Sequence, residues 1–355
     1  MKLAMELAAK GAGSVSPNPM VGAVIVKNNK IIAQGYHQIY GGPHAEVIAI
    51  TNASESVKGA TIYCNLEPCC HMDKQTPPCA QRLIEEGIKK VVIANLDPNP
   101  KVNGGGINLL RNAGIEVVSG MMAEQGKELN RFYMKFTSKK LPYITLKIAQ
   151  TVDGCIAKTK NQPSMVTGKE SQRHVHRLRS IYDASIIGGN TLRVDNSLLN
   201  VRHSKGLDPF RIILSTELNF DPELNIFKLE PKENTWILSS ESNKSKAKEL
   251  TVRTGCQVFL LPSDDKKRLS INTVLDFLAG QKITSVLVEG GAEIFSQFIY
   301  EAYIDELNIL IAPKIWGSQL RSFLPSDEER SIKFNLHSSA LLGEDILLIY
   351  RSINN

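Results

Sequence analysis

One imidazole and two thiols suited to a single metal site lie in three separate stretches of this 355-residue chain, so only a fold that brings those stretches together can use them. They are His44 in His44-Ala45-Glu46, Cys69 at the end of Glu67-Pro68-Cys69, and Cys79 after Pro77-Pro78. His44 opens an apolar, helix-like segment (Val47, Ile48, Ala49, Ile50), while Thr61 to Leu66 reads as a strand that delivers Glu67-Pro68-Cys69 at its end. Cys79 starts a helical pattern with Leu83, Ile84 and Ile88 on one face, which predicts a thiolate favoured at a helix N-terminus. A strand end must therefore meet two helix starts. A zinc ion held by one His and two Cys keeps a fourth position for water, which it acidifies, and a nearby Glu that is not a ligand ferries protons. Glu46 fills that role here, and the pattern points to removal of ammonia from a heterocyclic base. A purely structural zinc would need a fourth protein ligand, for which Cys70 and His71 are the candidates.

The length exceeds one ordinary domain, and a hydrophobic fraction of 42% is enough for two cores. No run of about 18 apolar residues is present to span a bilayer, and the start of the chain reads as an amphipathic helix without a signal-peptide pattern. A cytoplasmic protein is expected, with no membrane partner. Four of the six cysteines (Cys64, Cys69, Cys70, Cys79) crowd into one stretch, which reads as metal chemistry rather than a disulfide framework. Residues 1–140 hold 16 basic against 11 acidic residues, and the remainder 26 against 25. A mildly basic first half suits a phosphorylated small molecule. It would also suit RNA, but no basic stripe interleaved with aromatics is present, and no nucleic-acid partner is expected.

Strand and helix signals alternate in the first half. They predict a helix over Lys2–Lys10, a hairpin from Val21 to Gly35 turning at Asn28-Asn29, a helix from Ala45, the strand Thr61–Leu66, a helix over Cys79–Glu86, the strand Lys90–Asn95 and a helix near Ile107–Asn112. From Ser119 to Lys140 the pattern is charged and helical, and Leu141-Pro142 restarts an extended run. The division is thus residues 1–118, a helical linker at 119–140, and a second domain at 141–355. The second domain carries strand-like runs at Tyr143–Lys147, Ala184–Ile187, Phe210–Leu214, Thr235–Leu238, Gln257–Leu260, Ser285–Val288 and Leu307–Ile311. In Val286 to Phe295 an apolar strand, the pair Gly290-Gly291 and a helix start would put free backbone amides where a cofactor phosphate can bind. No G-x-G-x-x-G fingerprint accompanies it, so a Rossmann unit is not supported.

Pro17-Asn18-Pro19, Val21 to Val26, Gly42-Pro43-His44-Ala45-Glu46-Val47, Leu66-Glu67-Pro68-Cys69, Thr76-Pro77-Pro78-Cys79 and Asp97-Pro98-Asn99-Pro100 together resemble the bifunctional deaminase/reductase family of riboflavin biosynthesis. The resemblance continues through Thr151-Val152-Asp153-Gly154, Leu178-Arg179, Gly188 to Thr191, Asp195, Leu199 to Arg202, Glu289-Gly290-Gly291 and Ala312-Pro313-Lys314. It implies an α/β chain: a cytidine-deaminase-like three-layer α/β/α domain, then a dihydrofolate-reductase-like α/β domain. It implies hydrolytic deamination of 2,5-diamino-6-(5-phosphoribosylamino)pyrimidin-4-one with one zinc ion per chain, followed by NADPH-dependent reduction of the ribosyl to a ribityl chain. A homo-oligomer is expected as well.

Carried over position by position, the resemblance makes Glu46 catalytic and His44, Cys69 and Cys79 the metal ligands. Ala149, Met165, Thr191, Asp195, Gly291, Ala292, Glu293, Ile294, Phe295, Ser296 and Gln297 would face NADPH. Asn18, Lys147, Asp153, Arg179, Leu199, Arg202 and Glu289 would face substrate, with Lys147 or Asp153 delivering a proton as hydride reaches the sugar carbon. Arg179 and Arg202 suit a 5′-phosphate, and Glu289 suits sugar hydroxyls or ring nitrogens. Three departures stand out. Pro163 to Thr167 replaces Ser-x-Trp-Ile-Thr, so that Met165 stands where an aromatic platform is usual. Asp195-Asn196-Ser197 replaces Asp-Asp-Pro, and the loop from Cys70 to Pro78 is one residue longer than usual. These departures leave room for two other readings: a base deaminase acting on RNA, and a deaminase followed by a catalytically silent reductase-like domain.

Overall fold

Asn28 and Asn29 both take left-handed backbone angles, with φ of 48° and 60°. This is the conformation a two-residue hairpin turn demands and one that asparagine tolerates. They join β1 (Gly22–Lys27) to β2 (Lys30–Tyr36). The chain is described here by a computed structural model covering residues 1–70, 78–264, 268–301, 303–324 and 331–353. His71 and the rest of the lengthened loop up to Pro77 lie outside these residues. Two units divide at Leu141/Pro142.

In the first unit, β1 lies antiparallel to both β2 and β3 (Thr61–Leu66), and β4 (Lys90–Asn95) and β5 (Glu116–Ser119) continue in parallel. One face of this sheet buries Ile25, Ile62, Val91 and Ile93 under α2 (Ala45–Thr51), α3 (Cys79–Glu85) and α4 (Gly105–Asn112). The other face packs Val24 against Ala4 and Leu7 of α1 (Lys2–Ala8), completing three layers. Helix α2 lies so close to β2 that a Cβ on Gly35 would stand 2.5 Å from the Ala45 carbonyl oxygen. That close approach seats the helix that begins with His44 and Glu46. Helices α5 (Ala123–Leu129) and α6 (Arg131–Lys139) follow, and residues 119–140 cluster with the first unit rather than standing apart as a linker. The cause is specific packing: Gly126 of α5 sits against Asn95 at the end of β4, whose side chain donates to the Ala123 carbonyl at 3.0 Å.

The second unit is a nine-stranded sheet, and its strands and helices alternate as the apolar runs predict. In chain order these are β6 (Tyr143–Thr151), α7 (Lys169–Arg179), β7 (Ala184–Gly188), α8 (Gly189–Asp195), β8 (Phe210–Leu214), β9 (Thr235–Ser240), α9 (Lys244–Thr254), β10 (Gln257–Leu261), α10 (Ile271–Gly280), β11 (Ser285–Gly290), α11 (Ala292–Tyr300), β12 (Glu306–Ala312), β13 (Phe334–Leu342) and β14 (Asp345–Ser352). The sheet order is β10-β9-β8-β7-β11-β6-β12-β14-β13. From β10 to β12 all neighbours are parallel, and β14 runs antiparallel to both β12 and β13. Sequence order jumps around β7-β11-β6, and a crevice outside the carboxyl ends of strands at such a point is where ligands bind in parallel sheets.

Candidate active sites

The carboxyl end of β3 and the starts of α2 and α3 meet in the first unit. His44 precedes α2 in an extended conformation, Cys69 follows β3, and Cys79 is the first residue of α3. Their ligand atoms lie within 4.8 Å of one another. His44 Nδ1 is 3.2 Å from Cys79 Sγ and 3.6 Å from Cys69 Sγ. Zinc bonds of about 2.0–2.1 Å to nitrogen and about 2.3 Å to sulfur, at a tetrahedral angle, give a nitrogen–sulfur edge of about 3.6 Å. The donor set therefore fits zinc in both chemistry and spacing. By themselves the protein groups push the Cys79 thiol up, first through contact with Cys69 and then through burial and the Glu46 carboxylate. Without a metal these neighbours oppose the Cys79 thiolate expected at a helix start. Cys70 is not a member of the ligand group: its Sγ contacts the carbonyls of Lys101 and Val102, at 3.7 and 3.9 Å.

Glu46 is 3% exposed, and its Oε2 has no hydrogen-bond partner among the described residues. Burial pushes its carboxyl up, partly offset by His44. An orphaned carboxylate oxygen in an apolar setting is costly, and beside a water-activating metal it is an acceptor ready for a proton. Asn18 Nδ2 lies 3.1 Å from His37 Nε2, His37 Nδ1 lies 3.0 Å from the Pro43 carbonyl oxygen, and the His37 and His44 rings meet edge to face at 5.6 Å. The carbonyl fixes the proton on Nδ1, so His37 accepts from Asn18 and orients its amide. Sequence reasoning missed His37 because no spacing ties it to the ligand motif. Glu67, singled out only as the lead-in to Cys69, accepts from the backbone N–H groups of Asp97, Gly104 and Ile107 at 3.3, 3.0 and 3.1 Å. It thereby fixes the loop that packs Val102 on Cys69 and Cys79.

In the second unit a cavity of about 770 Å³ opens at the carboxyl ends of β6, β7 and β11. Lys147, Ala149, Thr191, Asp195, Glu289, Gly291, Ala292, Glu293, Ile294, Phe295 and Gln297 line it. Ser215, Thr216 and the stretch from Ile156 to Gln162 line it too, and were not foreseen. Gly291 permits this shape: a Cβ there would stand 2.8 Å from Thr191 Oγ1. Two expected cofactor contacts do not reach the cavity. The Ser296 side chain is buried and accepts from the Leu324 N–H at 2.8 Å, and Met165 is 76% exposed between Ser164 and Val166, which do line it.

The substrate-side residues divide. Arg179 forms a two-pronged pair with Glu289 (2.6 and 2.8 Å) and donates to the Asn200 carbonyl at 3.1 Å; Lys147 Nζ is 3.9 Å from Glu289. Burial opposes ionisation of Glu289, but Arg179 and Lys147 outweigh it and hold its carboxyl below the ordinary value. Burial, assisted by Arg179, pushes Lys147 down against the pull of Glu289 and Asp195, and burial pushes Asp195 up against Lys147. Arg202 is exposed; its guanidinium donates to Asn200 Oδ1 at 2.7 Å and its backbone N–H to His176 Nδ1 at 3.0 Å. Leu199, at φ 53°, is 1% exposed with its side chain in the core beside Ile187 and Ile213, so only its backbone is available to a ligand. Asp153 is saturated by local bonds. Its carboxylate accepts from the Thr151 hydroxyl and the Gly317 and Trp316 N–H groups, and these bonds hold it ionised, well below the usual carboxylate range.

Residues 1–95 match the cytidine and deoxycytidylate deaminase zinc-binding region, and residues 142–348 match the RibD C-terminal domain. The riboflavin biosynthesis protein RibD of Aquifex aeolicus is 40% identical, over 99% of this chain and 97% of its own length. The chain belongs to the RibD family. The Escherichia coli RibD protein is 35% identical, over 98% of this chain and 97% of its own. Among solved structures, Acinetobacter baumannii RibD superposes with a TM-score of 0.89 at 35% identity, covering 99% of this chain and 98% of that one. The Thermotoga maritima diaminohydroxyphosphoribosylaminopyrimidine deaminase/5-amino-6-(5-phosphoribosylamino)uracil reductase does so with 0.88 at 38% identity, covering 99% and 97%. Membership in the RibD family makes this chain a bifunctional enzyme of riboflavin biosynthesis, a zinc-dependent deaminase joined to an NADPH-dependent reductase. It acts on a small molecule, and the RNA-directed and silent-reductase readings fall away. No helix among the described residues is long and apolar enough to cross a membrane.

Proposed function

We propose that the two reactions are carried by the residues gathered at these sites. The convergence of His44, Cys69 and Cys79 beside the buried, unpartnered Oε2 of Glu46 is the observation that supports the deaminase assignment. Zinc at the three ligands supplies Lewis-acid activation of water. Glu46 Oε2 takes one proton from the attacking water to the ring nitrogen, then carries the second, from the hydroxyl now on the ring carbon, to the amino group that leaves as ammonia. Asn18, its amide oriented by His37, holds the base through Oδ1.

In the second unit Gly291 and Thr191, in the wall of the cavity, would hold NADPH, which would supply hydride for the sugar carbon. Lys147 Nζ delivers the accompanying proton. Glu289 accepts from the sugar hydroxyls while Arg179 holds its carboxylate in place, and the exposed Arg202 is the principal cation for the 5′-phosphate. The zinc-dependent domain is taken as residues 1–141 with its closing helices, and the reductase domain as 142–355. A homo-oligomer is supported by the terminal strand β13, which is exposed along nearly its whole length with Leu336 and Leu341 open to solvent, an edge that a second copy would cover. Six free cysteines favour the reducing cytoplasm.

The test follows ammonia and NADPH absorbance together with the phosphorylated diaminopyrimidinone. Glu46→Gln should retain zinc, lose ammonia release by at least about 10²-fold, and still reduce substrate that has already been deaminated. Near-normal ammonia release from this variant would remove Glu46 from the mechanism.

A further inference from the structure

The helices that close the first unit do little as hydrophobic packing: α6 has no buried residue. They do reach two loops far back in the sequence. Asn130, between α5 and α6, is 2% exposed; its Oδ1 accepts from the Met20 N–H at 2.8 Å and its Nδ2 donates to the Met20 carbonyl at 2.9 Å. The side chain thus pairs with both backbone groups of one residue as a neighbouring strand would. Asn65 grips the same place, donating to the Met20 carbonyl at 2.8 Å and accepting from the Gly22 N–H at 2.8 Å. Two residues before this clamp stands Asn18. Three residues after Asn130, on α6, the Tyr133 hydroxyl donates to Asp97 Oδ1 at 2.8 Å, and that oxygen also accepts from the Asn99 N–H at 2.9 Å. Asp97 begins the loop whose Val102 packs on Cys69 and Cys79.

We propose that Asn130 and Tyr133 are positioning residues of the deaminase, setting two loops that reach the metal ligands. One loop reaches the ligands through Asn18, His37 and His44, the other through Val102. Neither residue touches the ligands. A side chain that only filled space at the end of the domain would not need both a donor and an acceptor matched to the backbone of one residue, nor a hydroxyl aimed at a carboxylate that already shapes its own turn. Each bond fixes a backbone position, so its loss should loosen substrate binding rather than the proton transfers. The inference rests on the reading that Asn18 holds the base.

The experiment uses the full zinc-loaded chain. Asn130→Ala, Tyr133→Phe and Asn18→Ala are assayed for ammonia release from the phosphorylated diaminopyrimidinone, with zinc content and NADPH oxidation on the deaminated substrate measured on the same preparations. Loss of the two Met20 bonds in Asn130→Ala, whose carbonyl Asn65 still holds, and of the one Asp97 bond in Tyr133→Phe predicts a rise in deaminase KM of about five- to tenfold for each, with kcat changed by less than about twofold. Reductase turnover and zinc content stay unchanged, and Asn130→Asp, which keeps the acceptor for the Met20 N–H, recovers part of the loss. If Asn18→Ala raises KM while the other two do not, the inference fails and the reading of Asn18 stands. If Asn18→Ala leaves KM unchanged, that reading fails and the inference with it. A parallel fall of zinc content and both activities would show a role in folding alone and would also overturn it.

Discussion

Replacing Arg179 with Met removes the partner of a carboxylate that is almost fully enclosed. The Arg179 and Glu289 side chains are 12% and 4% exposed, so solvent screening does little to soften the loss. Breaking a buried pair by removing one member costs about 3–5 kcal/mol, and the Asn200 bond adds about 1 kcal/mol. Lys147, 3.9 Å from Glu289, returns part of this. We expect a net loss of about 3 kcal/mol at pH 8. The pH dependence follows from Glu289. In the native chain its carboxyl is held below the ordinary value, so the stability it contributes is fully present above about pH 4.3, the unfolded value, and is lost only as pH falls through the folded one. Without Arg179, burial acts against a single cation and pushes the carboxyl up, so proton uptake begins at higher pH than in the native chain and relieves the buried charge as pH falls. The deficit should therefore shrink towards pH 5, to under about 2 kcal/mol. Both tryptophans of the chain, Trp236 and Trp316, lie in the second unit, and Trp236 is buried, so urea unfolding followed by tryptophan fluorescence reports that unit alone. A deficit below about 1 kcal/mol at pH 8, the size of an ordinary substitution, or one equal at pH 5 and pH 8, refutes the reasoning.

Chelation should abolish ammonia release while leaving NADPH-dependent reduction of the deaminated substrate intact, and added zinc should restore the first activity; loss of both together would place the metal in a different role. Gly291→Ala puts a methyl 2.8 Å from Thr191 Oγ1, and the resulting overpacking of about 1–3 kcal/mol should weaken NADPH binding at least about tenfold, measured by fluorescence titration. Unchanged affinity would move the cofactor away from the Gly291–Thr191 contact.

The metal site was legible because its chemistry is local in sequence. Each ligand sits at a strand end or helix start, and apolar periodicity marks both. The asparagine turn and the strands of the parallel sheet were legible for the same reason. What escaped depends on contacts between distant residues that no spacing encodes. His37 owes its place to a backbone carbonyl and to Asn18, and residues 119–140 read as a linker because their links to Met20 and Asp97 run through single polar side chains rather than an apolar stripe. Strands β13 and β14 were missed because β13 alternates no buried face: its residues are exposed on both sides. Resemblance could not say that the Leu199 and Ser296 side chains turn into the protein or that Asp153 is saturated by its own turn.

We propose Lys147 as the proton donor because Asp153 is saturated by its own turn, and the surrounding charges would let Lys147 act as one. A buried ammonium beside a carboxylate would ordinarily be locked in its charged form, since giving up the proton would strand the anion. Here Glu289 is already matched by the two-pronged Arg179, so Lys147 can become neutral without leaving an unpaired charge. Burial and Arg179 both push Lys147 down, whereas Glu289 pulls it up. Taking Arg179 away removes a repulsive neighbour and gives Glu289 wholly to Lys147, and both changes raise the lysine. Because the protonated form is the donor, the alkaline limb of the reductase kcat profile should move to higher pH in Arg179→Met, and the maximal rate should fall as the proton is held more tightly. A limb that stays in place or moves to lower pH means that another group supplies the proton.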